Sequence, residues 1–199
     1  MANTSRSSSR EQKHTETRSR IAIEGIRLFE SHGYDATTLE EVAVASGISP
    51  RTLYHYFKTK YDILLFFHDE GLLADIGPTI LNLPRQMGPL EMALECLMAL
   101  VPKYETETMA TTYRIWNSTD TLKAEKLLAF KHIELTVYEA LREIWPKKKE
   151  QARLKNAAMA ATGALRLAMD AGQLPENKHS LKKRLKDSFQ ALTGLLQRA

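Results

Sequence analysis

Cysteine and long apolar runs are what this sequence has least of. Its 199 residues include one cysteine, Cys96, which excludes an internal disulfide and is typical of proteins from a reducing compartment. No apolar run is long enough to span a membrane, and the first ten residues, MANTSRSSSR, lack the apolar core of a secretion signal. We therefore expect a soluble, cytoplasmic protein that has no membrane partner.

Strand patterns and catalytic constellations are also missing. No stretch of convincing length alternates apolar and polar residues, so the fold is predicted to be all-α, with about nine helices. Cys96 and His132 lack a third orienting residue or a glycine-rich loop. His132 and Glu134, taken with Glu105 and Glu107, do not have the helical spacing of a metal site. We predict a protein that is not an enzyme, with no catalytic residue, no metal and no cofactor.

The composition suits an ordinary globular protein with a sizeable core. Hydrophobic residues make up 43% of the chain, with nine glycines and seven prolines. The 28 basic and 24 acidic residues leave a net charge of +4. Such a balance permits a polyanionic partner without requiring one, so the positions of the charges matter more than their total.

The stretch over residues 38–60, TLEEVAVASGISPRTLYHYFKTK, predicts two short helices held at a fixed angle. Thr38 and Glu41 have the spacing of a capping box, which begins the first helix. Gly47 ends it, because glycine adopts the left-handed conformation that a tight turn requires. Ala43 is small enough for the second helix to approach closely. This pattern is typical of a helix-turn-helix.

The second helix has an unusual outer face. Ser49 caps it and Pro50 occupies its first position, so that Leu53 and Phe57 face inward. The outer positions carry a guanidinium, a hydroxyl, two phenols and an imidazole, which can contact phosphates or base edges. Lys60 adds a cation at the first turn of the next helix. The predicted contacts with double-stranded DNA are Thr38, Ser49, Arg51, Thr52, Tyr54, His55, Tyr56 and Lys60. The alternative is a buried helical hairpin whose tyrosines only pack.

About forty residues, from Gly25 to Leu65, resemble the DNA-binding domain of the TetR (tetracycline repressor) family of transcription regulators. The features that carry the resemblance, in the order and spacing of the family, are Phe29, Gly33, Tyr34, Thr38, Ala43, Gly47, Leu53, Tyr54, Phe57 and Lys60. The resemblance implies a homodimer with a second helical domain that holds a small-molecule effector. It also implies a connecting helix that shifts when the effector binds.

Four segments are predicted along the chain. They are a flexible basic arm (1–16), a helix-turn-helix domain (17–60), a connecting helix (61–77) and a ligand-binding and dimerisation domain (78–199). The arm contains Arg6, Arg10 and Lys13 and either lies along DNA phosphates or is only a solvated tail. We expect Gly77 and Pro78 to end the connecting helix, which is apolar nearly all round.

By resemblance, the effector pocket lies among the helices of the second domain. The helix expected after a break at Pro102 mixes aromatic rings with hydroxyls, as ligand sites often do. The neighbouring helices supply apolar walls. The predicted lining is Met92, Cys96, Tyr104, Thr108, Thr112, Trp116, Phe130, Ile133 and Val137. For each of these residues the alternative is plain core.

The last two helices carry a stripe of small residues and a stripe of apolar ones. Small side chains allow another helix to approach closely, and pairing across a two-fold axis makes a four-helix bundle. The predicted dimer interface is Ala157, Ala161, Ala164, Leu165, Ala168, Leu181, Leu185, Phe189 and Leu192. The alternative is that both stripes are buried within one chain.

Together these expectations describe a ligand-responsive DNA-binding transcriptional regulator. We expect a repressor that binds a palindromic operator as a homodimer and is released by a small-molecule effector. One alternative is a DNA-binding adaptor regulated by a protein partner. Another is an enzyme with an accessory helix-turn-helix, which would need a catalytic constellation that the sequence does not show.

Overall fold

The computed structural model describes residues 4–174 and 179–196. In that part of the chain the secondary structure is helical without a strand, which confirms the predicted all-α class. The ten α-helices are α1 (Thr4–His32), α2 (Leu39–Ala45), α3 (Pro50–Tyr56), α4 (Lys60–Phe67), α5 (Ala74–Asn82), α6 (Pro89–Tyr104), α7 (Glu107–Trp116), α8 (Asp120–Ile144), α9 (Gln151–Ala171) and α10 (Leu181–Leu196). The count exceeds nine because a π-helical segment, His68–Leu73, divides the connecting helix into α4 and α5.

The first four helices share a core beneath the helix-turn-helix. Ile21 on α1, Val42 on α2 and Leu53 on α3 are completely buried, as a helical apolar period predicts. Gly25 brings α1 and α4 together, because a Cβ atom there would lie 2.8 Å from Cγ2 of Ile63. The helix-turn-helix therefore packs on α1, which in turn packs against α4.

The N-terminal region differs from the predicted arm. Helix α1 begins at Thr4 and runs to His32 without interruption, whereas a flexible arm is predicted over residues 1–16. Gln12 Nε2 donates a hydrogen bond of 3.0 Å to Glu16 Oε1, one turn further on, and such pairs support a helix. The rings of His14 and Tyr56 are also 4.8 Å apart. These contacts account for a helix that begins before the expected boundary.

Two prolines expected to end helices lie inside them. Helix α5 continues past Pro78 to Asn82, and α6 continues past Pro102 to Tyr104. Proline in a helix loses one backbone hydrogen bond, at a cost of roughly 3 kcal/mol. Burial of Ile76 and Ile80 on either side of Pro78 offsets that loss, and Pro102 lies so close to its helix end that little helix remains to be disrupted.

The second domain packs α9 against α6, α8 and α10. This arrangement corrects the predicted dimer interface. Ala157, Ala161, Ala164, Leu165 and Ala168 are at most 5% exposed within one chain, and Leu181 and Leu185 are also buried. Phe189 and Leu192 pack partly buried against the same core. The small side chains let helices of the same chain approach α9, so the buried residues of these stripes are not available to a second copy, whereas Phe189 and Leu192 retain some exposed surface.

Candidate nucleic-acid interface and core cavity

The turn between α2 and α3 has the geometry that its sequence predicts. Thr38 and Glu41 form a reciprocal capping box, with Glu41 Oε2 accepting from the Thr38 backbone N–H at 2.7 Å. This contact lowers the pKa of the Glu41 carboxyl. Gly47 has φ +67°, and the N–H of Ile48 donates to the carbonyl of Ala43 at 3.0 Å. The two helices are consequently fixed at one angle.

Helix α3 is capped by its own side chains. Ser49 Oγ accepts from the backbone N–H of Thr52 at 3.2 Å and lies 2.8 Å from the hydroxyl of Thr52. Both hydroxyls are therefore engaged in starting the helix. Arg51, in the same turn, is exposed and makes no hydrogen bond or ion pair with any residue that the structure describes. Its guanidinium is the available donor group of this turn.

The rest of the outer face is partly bonded to its surroundings. Tyr54, 40% exposed, donates its hydroxyl to Glu40 Oε1 at 3.0 Å, and this bond raises the pKa of the phenol. His55 is exposed, and its ring lies 5.7 Å from the ring of Tyr56, which is half-buried. Arg51, Thr52, Tyr54 and His55 thus share the exposed surface, as predicted.

Lys60 has a different environment from the one predicted. Its Nζ donates to the carbonyls of Tyr34 at 2.6 Å and Asp35 at 3.2 Å, and it lies 4.7 Å from the centre of the Tyr34 ring. Burial and the carboxylate of Asp35 raise the pKa of Tyr34 to about 12, so that ring stays neutral. Two of the three ammonium donors are used to hold the turn that precedes α2.

The start of α4 is also occupied. Asp62 Oδ2 accepts from the backbone N–H groups of Lys58 at 2.9 Å and Thr59 at 2.8 Å, and Thr59 and Asp62 together form a capping box. A carboxylate therefore already lies where a phosphate was expected to bind beside Lys60. Any phosphate contact by Lys60 remains a prediction, and it would use the third donor of the ammonium.

Two residues beside α3 were not predicted. Lys58 is exposed, with its Nζ 2.5 Å from the carbonyl of Tyr54, so it places a positive charge at the end of α3. His14 brings α1 against Tyr56. Lys58 could have been predicted as a DNA contact, because it lies two residues before Lys60. Nothing in the local sequence indicated that His14 lies beside α3.

A cavity of about 40 Å³, which we call the inner cavity, lies in the second domain. Four of the predicted ligand residues line it, namely Tyr104, Trp116, Phe130 and Ile133. Trp116 is 2% exposed, and its Nε1 has no hydrogen-bond partner among residues 4–174 and 179–196. A buried N–H group without an acceptor is costly, and this indole N–H is one of the few polar groups of a mostly apolar wall that also includes His68.

The other five predicted ligand residues do not line the inner cavity. Met92, Cys96 and Val137 are completely buried elsewhere in the core. Thr112 donates its hydroxyl to the carbonyl of Thr108 at 2.9 Å, so the pair is bonded within α7. The Sγ of Cys96 lies 3.7 Å from the carbonyl of Ile76, and burial raises the pKa of this thiol to about 12. The structure therefore places Met92, Cys96, Thr112 and Val137 in the core, whereas Thr108 is half-buried.

Several lining residues were missed. His68 and Leu72 come from the π-helical segment, and the ring of His68 lies 6.1 Å from that of Trp116. Met109, Met169 and Leu181 close another side of the inner cavity. His68 carried a usable signal, since it is an imidazole within an apolar run, but the others are indistinguishable from core in the sequence.

The two domains are joined by a polar contact between α1 and α7. Arg114 Nη2 lies 2.5 Å from Glu30 Oε1 and 2.7 Å from the hydroxyl of Thr111. The carboxylate of Glu30 is thus held by α7, the helix whose Met109 and Trp116 line the inner cavity. The contact therefore links α7, in the second domain, to the helix that supports the helix-turn-helix.

Other site types receive no support from the described residues. They contain no group of three or more His, Cys, Asp or Glu side chains that could hold a metal ion. Among them we also find no helix with the length and apolarity needed to cross a membrane.

The N-terminal region resembles known proteins in sequence. Residues 24–65 match the family described as "Bacterial regulatory proteins, tetR family". The HTH-type transcriptional regulator TcmR from Streptomyces glaucescens is 36% identical over 68 residues. That match covers 33% of this chain and 30% of TcmR, so it spans less than a third of the length of this curated relative.

Solved structures resemble the chain over most of its length. FadR from Thermus thermophilus, a TetR family transcriptional repressor solved in complex with lauroyl-CoA, has a TM-score of 0.58 and 21% identity, covering 88% of this chain and 93% of its own. SmeT, solved as a triclosan complex, has a TM-score of 0.61 and 17% identity, covering 88% and 91%. At these identities the likeness establishes the fold.

A three-helix unit with a helix-turn-helix, joined to a second all-helical domain, defines a class of transcription regulators. Within that class the match of residues 24–65 and the shared fold point the same way. Residues 24–65 therefore match the DNA-binding region of the tetR family of bacterial regulatory proteins, and the chain as a whole shares the fold of solved TetR-family structures.

Proposed function

We propose that this protein is a transcription repressor that binds a palindromic operator as a homodimer and releases it when a small-molecule effector enters the second domain. The observation that carries the proposal is the surface of α3. Arg51 is exposed there, without a bonding partner in the described part of the chain, on a helix whose first turn is already capped. A free guanidinium at the start of a recognition helix suits the bidentate contact with guanine.

The remaining contacts divide between bases and phosphates. Arg51 and Thr52 are assigned to base edges in the major groove. The phosphate contacts are assigned to Thr38, Ser49, Tyr54, His55, Tyr56, Lys58 and Lys60. Lys58 joins this set because it is exposed at the end of α3. Hydroxyl, imidazole and ammonium donors around the base-reading residues fix the register of a helix on the duplex.

Dimerisation is assigned to the outer faces of α8 and α9. Leu128 and Leu135 on α8, and Met159 and Leu167 on α9, are 45% to 56% exposed. They recur at helical spacing, and Gly163, between the two α9 residues, has open space where a Cβ would point. Exposed apolar side chains around a glycine favour close packing by another helix. Two recognition helices related by symmetry then read the two half-sites.

The effector is assigned to the inner cavity. FadR and SmeT were solved with lauroyl-CoA and triclosan, both of which have a large apolar part that suits such a lining. An effector that enlarges the cavity displaces His68 and Leu72, and with them α4. It also moves α7, which holds Glu30 of α1. Effector and operator then weaken each other's binding by the same factor.

The small volume of the inner cavity favours a second candidate, a DNA-binding adaptor whose second domain meets a protein partner. A volume of about 40 Å³ accommodates only a few water molecules, so an effector requires the cavity to open. A thermal-shift screen with small apolar compounds distinguishes the candidates. The repressor is expected to gain stability from some of them, and the adaptor from none.

The proposal is tested first by fluorescence anisotropy on the DNA upstream of the gene for this protein, against unrelated DNA at one fixed salt concentration. A sequence-specific regulator is expected to prefer its operator by about a thousandfold or more. If that DNA shows no preference, selection from random duplexes follows. A chain that enriches no sequence in the selection is not a sequence-specific repressor.

A further inference from the structure

A second cavity, which we call the outer cavity, lies beside the inner one. It has a volume of about 110 Å³ and polar residues at its edge, including Glu105, Gln173 and Arg184. The two cavities share three lining residues, Met109, Met169 and Leu181. These three side chains are therefore a common wall between an apolar space and a polar one.

Two of the three side chains of the common wall are methionines, which can change conformation easily. Methionine is unbranched and adapts its shape at low cost, and both Met109 and Met169 are only half-buried. Rotation of these two side chains away from the wall would join the two cavities. The joined space then runs from the indole of Trp116 at its inner end to Arg184 at its outer end.

Arg184 supplies a positive charge at the outer end. Its Nε donates to the carbonyl of Ala168 at 2.8 Å, and the guanidinium also donates to the carbonyl of His179. No carboxylate lies within ion-pair distance of Arg184 among the described residues. Gly172 makes room for it, because a Cβ there would lie 2.6 Å from Nη2. Neutral backbone carbonyls therefore hold the guanidinium of Arg184 in position, and no carboxylate in the described part of the chain neutralises its charge.

Glu105, the acidic residue of the outer cavity, is already engaged. Its Oε1 accepts from the backbone N–H of Leu181 at 2.5 Å and so serves the start of α10, where a carboxylate is favourable. The outer cavity thus contains a carboxylate bonded to a helix end and a guanidinium bonded only to carbonyls. That asymmetry favours an anion as the group that meets Arg184.

We propose that the inner and outer cavities form one channel for an elongated amphipathic molecule, whose anionic head group binds Arg184 and whose apolar body lies against Trp116. The proposal rests on the proposed function, since this molecule is the effector. It adds the chemical class of the effector and the residue that selects it. A neutral molecule of the same length binds the channel more weakly.

The experiment compares decanoate with decan-1-ol by isothermal titration calorimetry on the full chain, at concentrations below micelle formation. These probes have the same alkyl chain and differ in the charge of the head group. Decanoate is expected to bind about tenfold more tightly or better, because a hydrogen-bonded ion pair contributes more than a neutral bond. Equal affinities, or binding of neither probe, overturn the proposal without any variant being needed.

Variants then locate the two ends of the channel. Arg184→Gln is expected to remove the tenfold preference for decanoate while leaving decan-1-ol unchanged. Lys186→Gln, an equal loss of charge at an exposed position of the same helix, is the matched control and retains the preference. Ala129→Val, which adds two methyl groups to the wall of the inner cavity, weakens both probes. A preference that survives in Arg184→Gln excludes that residue as the selecting group.

Operator binding separates this inference from the function on which it rests. Anisotropy without any probe reports sequence-specific DNA binding alone. A chain that binds its operator but does not distinguish the probes retains the proposed function and overturns the anionic channel. A chain that binds decanoate through Arg184 but enriches no DNA sequence supports the channel and contradicts the repressor.

Discussion

Arg51 and Lys60 are both basic residues in the first turn of a helix, but their surroundings differ. Arg51 has no bonding partner among the described residues, whereas Lys60 is bound by two carbonyls and lies over the ring of Tyr34. Sequence position alone makes the two look equivalent. The structure favours Arg51 for recognition and gives Lys60 a positioning role as well.

Replacing Arg51 by Ala is expected to relax operator preference at one base pair, at a cost of roughly 1 to 3 kcal/mol. Replacing Lys58 by Ala is expected instead to weaken all sequences similarly and to reduce the salt slope of binding by about one unit. Anisotropy titrations across single-base operator variants and salt concentrations measure both effects. Lys186→Ala removes an exposed positive charge from α10, in the second domain, and serves as the control. Equal losses on every sequence from Arg51→Ala would refute the base-reading role.

Cys96 illustrates how burial decides reactivity. The side chain of Cys96 is buried, so reagents reach it only after unfolding. Burial also raises the pKa of its thiol to about 12. At neutral pH the thiol is therefore protonated and inaccessible. We expect no iodoacetamide adduct by mass spectrometry on the native chain and one adduct in denaturant. Rapid labelling of the native chain would place Cys96 at an accessible site.

At the scale of elements, the π-helical segment between α4 and α5 is the feature with the largest consequence. It brings His68 and Leu72 to the inner cavity, and Gly71 within it receives the ring of Tyr104 from α6. The hydroxyl of Tyr104 donates to Asp75 of α5 at 2.7 Å. The segment therefore connects the cavity wall, α6 and the helix that leads to the DNA-binding domain.

Two glycines of this connecting region provide a matched pair of substitutions. A Cβ at Gly71 would lie 2.7 Å from Cε1 of Tyr104, whereas a Cβ at Gly77 meets nothing within 4 Å. Gly71→Ala is expected to destabilise the fold by roughly 1 to 3 kcal/mol through overpacking. Gly77→Ala is expected to stabilise it by up to about 1 kcal/mol, because alanine favours the helix. Urea unfolding measures both, and a neutral Gly71→Ala would show that Tyr104 moves freely.

The same region explains which parts of the molecule could be predicted from sequence. Local signals were sufficient for the helix-turn-helix, where Thr38, Glu41, Gly47 and Ser49 each satisfy a specific backbone requirement. They were insufficient for the cavity. A 3.6-residue period assumes a continuous α-helix, and a π-helical turn shifts every later face. Residues such as Met109 and Met169 line the cavity only because three-dimensional packing brings distant helices together.

Prolines show a second limit of local signals. Pro50 begins a helix, as its sequence context predicts, and Pro89 also occupies the first position of a helix. Pro78 and Pro102 both lie inside helices. Burial of Ile76 and Ile80 offsets the hydrogen bond lost at Pro78, whereas Pro102 lies only two residues before the end of α6. Whether a proline ends a helix thus depends on packing that no local pattern contains.

For the whole molecule, the assignment of the dimer surface determines how the DNA is read. The small-residue stripe of α9 packs against helices of the same chain, because small side chains allow close approach by a helix of either origin. The apolar positions that remain exposed on α8 and α9 include Leu128, Leu135, Met159 and Leu167. Pairing through them would relate two copies of α3 by a two-fold axis, so operator binding and dimerisation are expected to be linked.

Leu135→Glu is expected to weaken dimerisation by at least about tenfold, because burying an unpaired carboxylate in an apolar interface is unfavourable. Sedimentation equilibrium measures the dimer dissociation constant, and anisotropy on a palindromic operator measures the linked loss of DNA affinity. Ile23→Glu is the control, since Ile23 on α1 is 45% exposed, similar to Leu135 at 46%, but lies outside the proposed surface. The control is expected to remain dimeric and to retain its DNA affinity. If Leu135→Glu also remains dimeric, or if both variants dissociate alike, the two-fold axis lies elsewhere. A true dimer surface must be more sensitive to substitution of its own residues than to substitution of an equally exposed residue outside it.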